Sequence, residues 1–280
     1  MIESTQIPKL TTSQFNQLSK YIYENFGIKM PPIKKTMLES RLQKRLRATG
    51  LYSFEEYLDF VFSKKEEKAE LIHMVDVVTT NKTEFFREPR HFDLMENEIL
   101  PEITQGRASS NTIKIWSAGC SSGEEPYTIA FLMEDFVKNK GLTYSIMASD
   151  LSSEILQKAM NGVYKMDKIM AIPLETKKKY LLKSKDKSNP TVRIVPEIRK
   201  KVNFFRLNFM DDKYLVDDDL DIIFCRNVII YFDRQTQEKV IRKLVSKLKP
   251  GGYLLIGHSE SLSQMNLGIQ PIIPTVFKKL

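Results

Sequence analysis

From Asn111 onward, short apolar runs alternate with helical stretches: TIKIWSAG, YSIMASD, VNFFRLN, LDIIFCRN and GGYLLIGHS. Runs this short, apolar on both sides of the pleat, read as buried parallel strands. Parallel strands need crossovers, so strand–helix alternation predicts right-handed βαβ units and a doubly wound α/β sheet. TVFKKL at the end of the sequence reads as a last strand. The charge-rich stretch from about Pro173 to Lys201, interrupted by Pro190 and Pro196, does not fit the alternation. It is expected to be an insertion, a small β-subdomain at about 183–202 that carries TVRIV.

The first 75 or so residues read differently. Thr11, Thr12 or Ser13 caps a helix with Phe15, Leu18, Ile22 and Phe26 spaced three to four apart, ending at Gly27. A second helix is expected from about Ile33 to Ala48, stopped by Thr49-Gly50. A third starts after Ser53, with Phe54, Tyr57, Leu58, Val61 and Phe62 inward, and a fourth runs from Glu67 to Val78. Helices without intervening strands predict a small all-α domain over 1–76, followed by the sheet domain over 77–280.

Composition narrows the class further. No apolar run approaches the roughly 20 residues of a membrane helix; the best, Leu220 to Phe232, is broken by Arg226 and Asn227. MIESTQIPKL has neither the basic start nor the apolar stretch of a secretory signal. Cys120 and Cys225 are the only cysteines, and no Cys/His cluster has metal-ligand spacing, so a reduced cytoplasmic protein without a structural metal is expected. The net charge of +8 suits an anionic partner without choosing among nucleic acid, an acidic protein surface and a membrane face.

In open α/β sheets, ligands sit beyond the carboxyl ends of the strands. The first strand ends in Ala118-Gly119-Cys120-Ser121-Ser122-Gly123-Glu124-Glu125-Pro126, where two glycines permit a sharp turn before a helix. The turn lacks G-x-G-x-x-G, and its two carboxylates stand where phosphates would lie, which favours a ligand with positive groups. The second strand ends in Ser149-Asp150, and an acidic residue there accepts the hydroxyls of a ribose. A cationic, ribose-bearing, phosphate-free cofactor fits S-adenosylmethionine. The alternative is a plain glycine turn followed by a helix-capping Asp.

Several segments in order also resemble the chemotaxis receptor methyltransferases (CheR type): TTNKTEFFRE at 79–88, IWSAGCSSGEEPYTIA, ASDLS, FCRNVIIYFD and LKPGGYLLIGHSES. The resemblance spans nearly the whole chain. It implies a helical amino-terminal domain and a Rossmann-like class I methyltransferase domain with a small β-subdomain. It also implies methyl transfer from S-adenosylmethionine to glutamate side chains of bacterial chemoreceptors, leaving S-adenosylhomocysteine. By the same resemblance Asn81, Thr83 and Arg87 contact the cofactor, Glu125 meets its ammonium group and Asp150 its ribose. Asn208 stands near the adenine with Phe209 beside it, Arg226 and Asn227 close the fourth strand at the site, and Tyr231 lies beside the sulfonium. Arg87 and Tyr231 are the candidates for holding the acceptor carboxylate and lining the methyl path. The alternatives are a surface ion pair of Arg87 with Glu84 or Glu88, worth little, and a packing role for Tyr231. A glutamate, with a reference pKa near 4.3, is already ionised at neutral pH, so no general base is required. His73, His91 and His258 are expected to pack or to support the site, with His258 the nearest to lining it.

The second helix places Leu38, Leu42 and Leu46 on one stripe, with Arg41 and Arg45 on an adjoining edge and Lys44 and Arg47 further round. A solvated basic face is the plain reading. The resemblance implies that Arg41, Lys44 and Arg45 meet the acidic coiled coil of the methyl-accepting receptor. Nucleic acid is not expected as a partner. Amino-directed nucleic-acid methyltransferases carry an Asp/Asn-Pro-Pro-aromatic motif where this chain reads Arg226-Asn227-Val228-Ile229-Ile230-Tyr231. A cofactor-binding signalling module without activity is the other rival.

Overall fold

The structure, a computed structural model, describes residues 8–63, 67–106, 112–138 and 140–280. The chain divides into two compact units, Met1–Thr80 with Ser152–Glu154, and Asn81–Leu151 with Ile155–Leu280.

The helical unit contains α1 (Thr12–Phe26), α2 (Lys35–Thr49), α3 (Phe54–Phe62) and α4 (Glu67–Val78). Of the three possible caps for α1, Thr11 is the one used. Its hydroxyl accepts from Gln14 N while the Gln14 side chain accepts from Thr11 N, and Gly27 ends the helix at φ 69°. Ser53 and Glu56 build the same reciprocal box ahead of α3. α2 begins two residues later than expected, because Pro32–Lys34 forms a 3-10 turn and leaves Ile33 exposed. Leu38, Leu42 and Leu46 bury the predicted stripe of α2 among Phe15, Leu18, Ile22, Tyr57 and Val61.

The second unit opens with α5 (Arg90–Leu94), a π-helical turn (Met95–Ile99) and α6 (Leu100–Thr104). The widened turn runs directly into Pro101, which has no N–H to continue the regular ladder. Then follow β1 (Thr112–Ala118), α7 (Glu124–Val137), β2 (Thr143–Asp150), α8 (Ser153–Asn161), β3 (Val163–Lys165), α9 (Leu174–Tyr180), β4 (Leu181–Lys183) and β5 (Thr191–Ile194). The remainder is α10 (Pro196–Arg199), β6 (Val202–Arg206), β7 (Leu220–Cys225), α11 (Arg234–Lys247), β8 (Leu248–Ile256), β9 (Ile269–Ile273) and β10 (Val276–Lys279).

The large sheet runs β6-β2-β1-β7-β8-β10-β9. Its first five strands are parallel, and all six residues of β7 are buried, as a strand covered on both faces requires. The terminal β9–β10 hairpin adds antiparallel to β8, so the sheet is α/β but not wholly parallel. β9 has no counterpart in the sequence reading. β3, β5 and β4 form a separate antiparallel sheet in that order, with β3 lying upstream of the Pro173–Lys201 stretch. Because β1 is central, its carboxyl end sits between those of β2 and β7, where strand order reverses.

Candidate active site

Ala118 is in register with Ser149, so β1 and β2 end together, and Gly119 N and Cys120 N both donate to Ser149 O at 2.7 and 2.9 Å. The turn then doubles back at Gly119 (φ 88°), Ser121 (φ 50°) and Gly123 (φ 93°) before α7 starts. A side chain at Gly119 would place Cβ 2.4 Å from Val228 Cγ2, so the backbone of this turn lies against the loop after β7. Ser121 N donates to Asp150 Oδ2 at 2.8 Å, which sets the Asp150 carboxylate at the tip of β2.

The two glutamates opening α7 behave differently. Glu124 is buried and accepts from the Ser122 hydroxyl at 2.6 Å, and burial raises its pKa. Glu125 accepts from Ser117 Oγ at 2.7 Å and pairs with Arg226 at 3.5 Å. Burial raises the Glu125 pKa, while the Arg226 charge opposes that rise.

The Asn81–Glu88 loop is bound to the same place. Asn81 O accepts from Ser121 Oγ at 3.2 Å, and Phe86 N donates to Thr128 Oγ1 on α7 at 3.2 Å. Arg87, half-buried, donates from Nη1 to Lys82 O at 2.9 Å within the loop. Phe86 and Glu88 both take left-handed conformations, φ 55° each, uncommon for residues with side chains.

Arg226 joins these parts. Its side chain is buried, donates to Glu88 Oε2 (Nε 3.3 Å) and to Arg87 O, and stands 5.2 Å from the Phe92 ring centroid. Burial opposes ionisation of Glu88, yet Arg226, the His258 backbone N–H and the Asn227 amide outweigh it and lower its pKa. Asn227 (φ 59°) donates to Glu88 Oε1. Its own N–H is held by Glu260, whose carboxylate also accepts from Val228 N, Ile230 N and Gly257 N at 2.6 to 3.3 Å. Sequence reading missed both Glu88 and Glu260 as organising residues; the SES of the last motif carried Glu260 without a signal of its role. Tyr231 ends the 3-10 turn Ile229–Tyr231 that this carboxylate supports.

Arg226 and Asn227 thus reach the site as supports of its loops. Asn208, half-buried after β6, accepts from Met210 N at 3.0 Å, and Phe209 packs edge-on against Tyr214 and Phe232. Thr83 is half-buried on the loop. Cys120 and Cys225 are buried, and burial pushes both thiols well above their ordinary pKa. His91 is buried, and burial together with the Arg226 charge pushes it down to about 4, so its ring is neutral at pH 7.

In the helical unit, Arg41 donates to Val78 O (2.5 Å), Thr79 O (2.9 Å) and Thr80 Oγ1, capping the carboxyl end of α4. Arg45 grips Glu70 with two bonds of 2.9 and 2.7 Å, and Tyr57 OH donates to the same carboxylate. Lys44 is exposed.

The donor set fits S-adenosylmethionine. An anionic pyrophosphate at the α7 amino terminus would meet Glu124 and Glu125, whereas Glu125 and Asp150 offer carboxylates suited to a cationic group and a ribose.

Residues 81–275 match the family described as CheR methyltransferase, SAM binding domain, and residues 13–79 match its all-alpha domain. A chemotaxis protein methyltransferase of Borreliella burgdorferi is 40% identical over 274 residues, covering 96% of this chain and 95% of the relative. One from Escherichia coli is 34% identical over 265 residues, covering 95% and 90%. A TehB-like SAM-dependent methyltransferase structure from Corynebacterium glutamicum aligns with a TM-score of 0.36 at 11% identity, covering 68% of this chain and 92% of that one. No described helix is long and apolar enough to cross a membrane. With residues 13–79 and 81–275 matched by its two domain models, the chain belongs to the CheR methyltransferases.

Proposed function

We propose that this protein esterifies glutamate side chains of bacterial chemoreceptors, using S-adenosylmethionine as methyl donor. The observation that carries the reading is the buried Arg226, which binds Arg87 O and Glu88 from one loop and Glu125 at the start of α7. That arrangement supports Arg87 beside the strand tips, where a guanidinium is suited to a carboxylate. The chemotaxis names of the relatives support the receptor as substrate.

Bound S-adenosylmethionine supplies an electrophilic methyl group on a sulfonium. Asp150 takes the ribose hydroxyls, Glu125 the ammonium, and Asn81, Thr83 and Arg87 the methionyl end, with Asn208 and Phe209 bordering the adenine. Tyr231 lines the path to the methyl group and Arg87 orients the incoming glutamate. The acceptor is ionised at neutral pH, so these residues align it and replace the water around opposite charges.

The receptor's acidic helix is met by α2. Lys44, exposed, makes the direct contact. Arg41 and Arg45 hold the domain together through α4 and Glu70 and add to the positive surface from there.

Label from the cofactor on receptor fragments should be released by mild alkali as methanol. Alkali-stable label on nucleic acid, or none on receptor, would overturn the reading. Lys44→Glu should slow receptor methylation several-fold at low salt and less at high salt.

A further inference from the structure

Glu88, His91 and His258 bring one ligand atom each within 4.8 Å of one another. They are far from obvious in the chain, with His258 lying 170 residues beyond Glu88. His91 sits three residues after Glu88, its side chain 1% exposed, and its Nδ1 faces Glu88 Oε2 at 3.5 Å. The His258 ring stands edge-on to it, with centroids 5.1 Å apart, and is exposed.

The protonation of His91 follows from its other nitrogen. Nε2 lies 2.7 Å from Thr275 Oγ1, a hydroxyl that is also within hydrogen-bond reach of Pro274 O. When that hydroxyl donates to Pro274 O, its oxygen accepts from Nε2–H and Nδ1 carries the lone pair. Nδ1 is buried and has no hydrogen-bond partner among the described residues. A lone pair buried opposite a carboxylate oxygen places two electron-rich atoms against each other, an arrangement that a cation between them relieves. An imidazole whose far N–H is fixed by a backbone or side-chain oxygen is also the arrangement metal-binding histidines adopt.

We propose that Glu88, His91 and His258 bind a divalent transition-metal ion of the zinc class. Two imidazoles and one carboxylate suit such ions, and hard oxygen-seeking ions do not match them. Ligand atoms about 2.1 Å from one ion stand at most about 4.2 Å apart, so the site closes by roughly half an ångström on binding, with the exposed His258 free to swing inward. His258 is also the way in from solvent. Arg226 shares Glu88 Oε2 and competes with the ion, which keeps the affinity below that of a closed structural site. The metal site shares Glu88 with the Arg226 clamp, but its test does not depend on methyl transfer.

Chelator-treated full-length protein is titrated with Co²⁺ and followed by its visible d–d absorption. One ion per chain should bind with the intense bands of a low-coordinate protein site, and Zn²⁺ should displace it while Mg²⁺ at the same concentration does not. His258→Ala removes an exposed ligand with no cost to the core and should weaken Co²⁺ binding more than about tenfold. A wild-type spectrum identical to aqueous cobalt, displacement by Mg²⁺, or equal affinity in His258→Ala would each overturn the assignment.

Discussion

Arg226 and Glu88 are 138 residues apart in the chain, yet Arg226 Nη2 lies 3.2 Å from Glu88 Oε2, with the arginine side chain 1% exposed. The pair fastens the Asn81–Glu88 loop to the tip of β7, and through Arg226 it also reaches Glu125 on α7. Three chain segments therefore depend on one buried cation. Arg226→Met would leave two carboxylates without their counter-charge and should cost about 3–5 kcal/mol of unfolding free energy. Trp116, the only tryptophan and fully buried in β1, reports unfolding of this unit by fluorescence in urea. Adding Glu88→Gln should recover part of the loss; strictly additive costs would deny the coupling.

Asp150 offers a cleaner separation of binding from folding. Ser121 N donates to Asp150 Oδ2, and an Asn keeps a carbonyl oxygen for that bond. Asp150→Asn should thus leave thermal stability nearly unchanged while weakening S-adenosylhomocysteine binding about tenfold or more, since hydrogen bonds to a charged acceptor are the stronger ones. Calorimetric titration beside a melting curve measures both. An unaltered affinity would remove Asp150 from the ribose position.

Much of the fold was legible because its signals are local. Leu38, Leu42 and Leu46 recur at helical spacing, and IIFC within β7 is apolar on both faces, so an all-α segment ahead of an α/β sheet follows from neighbours in the chain. The site was legible only in part. Asp150 and Glu125 stand at strand and helix boundaries that a strand–turn–helix reading marks. Glu88, Glu260 and His91 acquire roles from partners that fold topology alone brings near, and no spacing rule links Glu260 to Asn227 N or His91 to His258. The basic helix shows the opposite limit. Arg41 and Arg45 look alike from sequence, but the carbonyls ending α4 and the carboxylate of Glu70 claim them inside the domain. β9 escaped because QPII, with its proline, lies at a sheet edge, where a missing N–H is tolerated.

Gly119 is held in place by both its conformation and its neighbour. With φ 88° and a would-be Cβ 2.4 Å from Val228 Cγ2, Gly119→Ala faces strain and a clash together. It should destabilise the unit by about 1–3 kcal/mol and weaken cofactor binding. Val228→Ala in the same chain removes the struck methyl and should restore part of the stability, since the φ strain persists. Full restoration would mean that backbone conformation is irrelevant at this turn, and none would mean that the contact is.

Glu102 gives the β8–β10 pairing a dependence on pH. Its carboxylate accepts from Lys278 on β10 and Tyr253 on β8, and these bonds hold its pKa below the ordinary carboxylate value. A lowered folded pKa means that the folded state binds its proton less readily than the unfolded chain. The stabilisation is therefore present above the unfolded value, about 4.3, and disappears as pH falls through the lower folded value. Glu102→Gln should be less stable than the parent at pH 7 in urea, modestly so because the Glu102 side chain is 48% exposed. The gap should close as the solution is acidified below about pH 4, both chains then presenting a neutral side chain to Lys278. A gap that stays constant down to pH 2 would show that the difference lies in packing rather than in the charge of Glu102.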